Sequence, residues 1–250
     1  MQNIVNSRGL PTDVKDKIDA ILSKHKISTQ DNLLNTSIKS TNFFDNNSMN
    51  TIDREIKLDP SKTIMSKTDT KGIIEYANDY FMEISGYDEF ELMGQPHNII
   101  RHPDMPKVIF KELWTRLKKG ENIHALVKNR SKDGGYYWVL TNFETKFDEN
   151  GKAISHYARR KAAPAYAVFK VEKLYKTLLA IEKNQSTLVA ERYFKGLLEE
   201  NNTNYDGFIL SILGIDSKSL SKYFDTQNSP SSTTTSKNKK KGIISRLFGK

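Results

Sequence analysis

Cysteine is absent from the 250 residues. That excludes disulfides, cysteine-ligated zinc, iron–sulfur clusters and covalent c-type haem attachment. Long apolar runs are missing too, since none approaches the roughly 20 residues that a membrane-spanning helix needs. Apolar residues make up 37% of the chain, and the mean hydropathy is −0.62. Met1 to Leu10 is polar and has no apolar signal-peptide core, so the expected location is the cytoplasm. No Walker A loop, kinase signature or metalloprotease motif occurs, which argues against an enzyme.

What is present is unevenly placed. Three of the seven prolines fall in the run Pro-His-Asn-Ile-Ile-Arg-His-Pro-Asp-Met-Pro, residues 96–106. Each proline fixes its own backbone angle and pushes its predecessor out of helix, so Gln95, His102 and Met105 are biased to extended geometry. Two readings of the run are open. It is either a stiff wall whose Arg101, His102 and Asp104 point at a ligand, or a loop in which Asp104 caps the next helix with Pro106 in its first turn.

The net charge of +9 is concentrated at the C-terminus, where residues 237–250 hold six cations and no anion. The remainder carries +3, which gives no sign of nucleic-acid binding.

In chain order, residues 1–60 read as an extension, mostly disordered. A short helix is expected over Pro11 to Lys26, with Val14, Ile18, Ile21 and Leu22 on one face. Ser28 to Asp59 is rich in Asn, Ser, Thr and Asp and reads as linker. A packed domain is expected over 61–163. Strands are predicted at 63–68 and 73–76, with a helix capped by Asn78 and ended by Gly86 after them. A helical turn at 89–93, the proline-rich wall and an amphipathic helix over 104–119 follow. Three strands, at 122–130, 136–147 and 153–161, are joined by turns at Asp133-Gly134-Gly135 and Asp148 to Gly151. This order predicts an α+β fold, a five-stranded antiparallel sheet with its helices on one side and a ligand cleft between.

Alternation in the third strand sets Ala125, Val127 and Asn129 on the inner face, and His124, Leu126, Lys128 and Arg130 towards solvent. An inward amide needs a hydrogen-bond partner, either a ligand or backbone at the strand end.

The segment Met65 to Lys161 resembles the PAS domain of bacterial aerotaxis receptors. The resemblance rests on Tyr76-Ala77-Asn78-Asp79, Ile84-Ser85-Gly86-Tyr87, Gly94 to Asn98, Arg101 to Lys107, Val127 to Arg130 and Tyr137-Trp138-Val139. It implies non-covalent FAD binding, with Asn78, His97, Arg101, His102, Asp104, Phe110, Trp114 and Asn129 as cofactor-binding residues. Arg101 would suit phosphate or ribose oxygens, Trp114 would offer an aromatic face, and Asn129 would read the polar rim of the ring. Phe110 and Trp114 also fit as ordinary core, and Asn78 as a helix cap alone. Ile123 departs from the tryptophan often found in these receptors. Without cysteine no cysteinyl–flavin adduct can form, so the expected signal is redox state.

The resemblance further implies a stand-alone sensor of the energy-taxis type, signalling to a membrane-bound methyl-accepting chemotaxis receptor. A ligand-free PAS adaptor is the alternative, and a haem-binding PAS, with His97 or His102 as axial ligand, a lesser one. Residues 164–227 read as a helical signalling or dimerisation segment. Within it, Val168, Val171, Leu174, Tyr175, Leu178, Leu179 and Ile181 form a stripe that suits either a homodimer or partner surface, or a dock against the sheet. Residues 228–250 are a Ser/Thr-rich linker and a basic amphipathic tail. Lys239 to Lys250 has the pattern of a weak anchor to anionic membrane, and fits a solvated tail equally well.

Overall fold

The computed structural model describes residues 51–225 and, before them, only Asp16 and Ala20, both helical and exposed. The rest of the expected N-terminal helix and the basic tail lie outside the described residues.

Five antiparallel strands form one sheet in the order β2-β1-β5-β4-β3. They are β1 (Ile64–Thr68), β2 (Ile74–Ala77), β3 (Ile123–Arg130), β4 (Tyr136–Phe147) and β5 (Ala153–Ala162). Between β2 and β3 come α1 (Asp79–Ser85), α2 (Glu89–Leu92), a 3-10 turn (His97–Ile100) and α3 (Lys107–Lys118). The described residues after β5 form α4 (Ala165–Asn184), α5 (Thr187–Glu200), α6 (Tyr205–Leu213) and α7 (Ser217–Asp225).

Local chemistry accounts for most boundaries. Asp69 Oδ1 accepts from Lys71 and Ile73 N–H at 2.8 Å each, and Gly72 at φ 87° completes the β1–β2 turn. Asn78 Oδ1 caps α1 through Phe81 N–H, and Gly86 ends it in the left-handed region. Asp88 and Glu91 form a reciprocal capping box on α2.

One expected cap is replaced. Asp104 does not cap α3, which starts at Pro106 without any cap from its own neighbourhood. The first two N–H groups, of Lys107 and Val108, instead donate to the Glu182 carboxylate at 2.9 and 2.8 Å. A cap 75 residues away leaves no local sequence signal.

The inner core lies between the sheet and α1–α3, around Phe81, Leu92, Ile100, Met105, Ile109 and Leu117, with Ile123, Ala125 and Val127 below them. The other side of β3–β5 is also covered. Tyr175 on α4 stacks on Trp138 at 6.2 Å between centroids, and its hydroxyl donates to Leu126 O at 2.8 Å. Tyr223 on α7 reaches Ala162 O, and Phe224 tilts against His124. Of the two uses left open for the α4 stripe, the dock against the sheet is the one observed. It also overturns the expectation that the outer side of β3 faces water: Leu126, Lys128 and Arg130 are buried. The linker reading of Ser28 to Asp59 likewise changes at its end, where Ile56 N–H donates to Tyr136 O at 2.7 Å and Tyr136 N–H to Arg54 O at 3.0 Å.

Candidate ligand-binding site

Register decides which side chains share the concave face under α1–α3. Asn129 lies opposite Tyr137, Thr141 opposite Arg160, and Ser66 opposite Ala158. Tyr137 and Thr141 are four residues apart on one strand, so all these side chains point inward together. The wall is therefore polar at its centre, with Asn129, Tyr137, Thr141, Arg160 and Ser66 all buried.

Several of these groups lack partners beyond the wall. Thr141 Oγ1 has no hydrogen-bond partner, and Asn129 Nδ2 and Tyr137 Oη, cross-strand neighbours that act on each other, find none beyond that pair. Leaving a buried donor unsatisfied costs about 1–3 kcal/mol, and so much unused hydrogen-bonding capacity on one face marks a place where a polar ligand edge would restore the bonds. Burial also pushes the Tyr137 hydroxyl well above its usual range, so it stays protonated.

The proline-rich run meets this wall through Arg101, whose backbone pairs with that of Asn129. The Arg101 guanidinium lies 4.3 Å over the Phe110 ring and donates to Met105 O at 3.1 Å. Burial depresses its pKa while Glu182 opposes the shift. Arg101, Phe110 and Asn129 are thus brought together. His97 joins the other end of the face. It stacks on Phe81 at 5.6 Å, and its Nε2 lies 2.9 Å from Arg160 Nη2 and 3.1 Å from Ser66 Oγ. Burial first, and Arg160 second, drop its pKa to about 3. A neutral ring accepting from a guanidinium at Nε2 is poorly placed for axial haem ligation.

His102 and Asp104 point elsewhere. Asp104 pairs with Lys128 Nζ at 2.6 Å, and alternation sets Lys128 on the opposite face of β3 from Asn129. His102 Nδ1 accepts from Asp104 N–H at 3.0 Å while the ring meets Tyr136 edge-on. Burial, then Lys128, lowers its pKa to about 4. Trp114 is half-buried, edge-on to His156. The Asn78 amide is fully engaged: Oδ1 accepts from Met65 N–H at 2.9 Å and Nδ2 donates to Thr63 O at 2.9 Å, in addition to the α1 cap.

Arg160 and Thr141 are not signalled as site residues in the sequence, and Tyr137 enters there only within the stretch Tyr137-Trp138-Val139 that carries the resemblance. Alternation in β5 puts Arg160 in phase with the inward Ala158, and a charge in that phase is the signal that could have found it.

Comparison with known proteins gives this face its context. Residues 74–157 match the family described as "PAS fold". The chain contains a PAS domain. It is 48% identical over 118 residues to the aerotaxis receptor of Escherichia coli, a match covering 47% of this chain and 23% of that receptor. It is 26% identical over 100 residues to the nitrogen fixation regulatory protein of Klebsiella pneumoniae, covering 40% of this chain and 20% of that protein. The chain thus spans about a quarter or less of these curated relatives. Among solved structures, a PAS domain from Colwellia psychrerythraea is similar at 20% identity and TM-score 0.38, over 40% of this chain and 86% of that one. The light-state LOV structure of Aureochrome1 is similar at 18% identity and TM-score 0.40, over 45% of this chain and 88% of that one.

Proposed function

We propose that this chain is a redox or energy sensor of the aerotaxis type, whose PAS domain binds FAD and passes its redox state to a membrane-bound chemotaxis receptor. The observation that carries the ligand half is the row of buried polar groups at Asn129, Tyr137 and Thr141, which find no partner beyond the wall itself. FAD fits them because an isoalloxazine edge presents carbonyl and ring-nitrogen acceptors. The Arg101 guanidinium, beside Phe110, suits the oxygens of the dinucleotide. The likeness to the E. coli aerotaxis receptor supports the same assignment. His97 would border the ligand, while Asn78, His102, Asp104 and Trp114 would shape the walls. FAD supplies reversible electron uptake, and the protein supplies orientation and electrostatics.

The output half rests on the helical segment. We read 61–163 as the sensor and 164–227 as its reporter, because Glu182 joins α4 directly to the start of α3 beside the Arg101 wall. A cytoplasmic location, with the basic tail at the inner membrane surface, would place the reporter next to such a receptor.

The test is an absorbance spectrum, before and after dithionite, of the purified chain incubated with FAD and then freed of unbound flavin by gel filtration. Twin flavin bands that bleach are expected, and Asn129→Ala should weaken binding about tenfold, the equivalent of about 1.4 kcal/mol. A protein that stays colourless would end the flavin reading and leave a ligand-free adaptor.

A further inference from the structure

We infer that Arg160 is the charge-sensing group of this site: its buried guanidinium binds the ligand edge that becomes negative on reduction, so the protein holds reduced FAD more tightly than oxidised FAD. This rests on the flavin reading above and adds a residue and a direction to it.

The argument starts from an imbalance. Arg160 is 3% exposed, and among the described residues no carboxylate pairs with it; the ionisable group that bears on its charge is the Tyr137 hydroxyl. Nη1 donates to Ser66 Oγ at 2.9 Å and Nη2 to His97 Nε2 at 2.9 Å. The Phe81 and Phe143 rings lie 5.7 and 5.9 Å from its central carbon. A buried cation surrounded by neutral groups is costly, and proteins ordinarily pair it. The strain on the charge is visible in its pKa, brought down to about 10 by burial.

The rest of the face has the same polarity. Asn129 Nδ2, Tyr137 Oη and Thr141 Oγ1 are donors or hydroxyls with no partner beyond the wall, and His97 is kept neutral beside the guanidinium. The wall therefore presents positive charge and donors, and no anion. Its complement is an acceptor-rich edge that gains negative charge. Oxidised isoalloxazine is neutral. When dithionite delivers two electrons and one proton enters from solvent, one negative charge remains on the ring, and Arg160 would become its counter-ion. Because the charge is absent before reduction, the interaction favours the reduced form alone, as a sensor requires.

The experiment is potentiometric titration of the FAD-loaded full chain, with Arg160→Met and Arg160→Lys alongside wild type and folding checked by thermal melting. Arg160→Met should weaken reduced FAD at least tenfold more than oxidised FAD, lowering the two-electron midpoint by about 30 mV or more. Arg160→Lys, which keeps a cation, should retain most of the wild-type value. A folded, flavin-loaded Arg160→Met with an unchanged midpoint overturns the inference and leaves the flavin reading standing. If that variant does not fold, proton uptake by wild type decides. Below neutral pH, where free reduced flavin takes a second proton, the bound ligand should still take one per two electrons, and an uptake of two overturns the inference. Wild type that binds no FAD ends both readings.

Discussion

Replacing Glu182 tests how the helical segment is fastened to the PAS domain. Pro106 opens α3 without a side-chain cap, and the Lys107 and Val108 N–H groups depend on Glu182 at 2.9 and 2.8 Å. These bonds are charge-assisted and lie at the positive end of the helix dipole. Loss of an N-cap costs about 0.5–2 kcal/mol, and hydrogen bonds to a charged acceptor sit towards the upper end of the general range. The site is only half-buried, so about 2 kcal/mol is expected for Glu182→Ala. About half of that is expected for Glu182→Gln, which keeps one acceptor but not the charge. The assay is urea unfolding followed by circular dichroism, with amide exchange at Lys107 and Val108 as the local readout. Exchange at both amides should accelerate in Glu182→Ala. Both variants within about 0.3 kcal/mol of wild type, with exchange unchanged, would refute the cap and with it the direct link between α4 and the Arg101 wall.

Three further outcomes are expected. Tyr175→Phe removes the hydroxyl bond to Leu126 O and should cost about 1 kcal/mol in urea unfolding, whereas Tyr175→Ala should cost about 3–5 kcal/mol and expose the β5–α4 junction to protease. Gly72→Ala places a Cβ at φ 87° and 3.0 Å from the Trp114 ring, so a loss of about 1–2 kcal/mol is expected in the same assay. His97 and His102 are held neutral in the fold, at about 3 and about 4, against 6.5 when unconstrained. Between those values the unfolded chain binds protons that the folded one refuses, so stability is complete above 6.5 and falls as pH drops through this window. Each histidine should remove about 2 kcal/mol by about pH 5, and unfolding of His97→Asn at the two pH values should show a shallower loss.

Much of the PAS domain's frame was legible locally. The turn at Asp69 to Gly72, the Asn78 cap, Gly86 and the Gly-rich hairpin turns are chemistry between residues at most a few positions apart, and the five strands fell within a residue of their expected bounds. The inward position of Asn129 followed from alternation, and the structure gives its amide nitrogen no partner beyond Tyr137 opposite. The proline-rich run was recognisable as a shaped segment, but not which way its side chains turn. Stiff backbone biases φ and ψ, while Asp104 follows Lys128 and Arg101 follows Phe110, both chosen by packing across the domain.

The sequence by itself determined where the elements start and stop, because caps, turns and period-two alternation act within a few residues. Only the tertiary structure decided what each face meets. Alternation cannot tell a face open to water from one covered by a helix arriving 49 residues later, as Tyr175 does over Leu126. Nor could local pattern show that Arg160, 94 residues from Ser66, would close the same wall without a counter-charge. Burial and pairing between distant strands are collective outcomes of the packed chain.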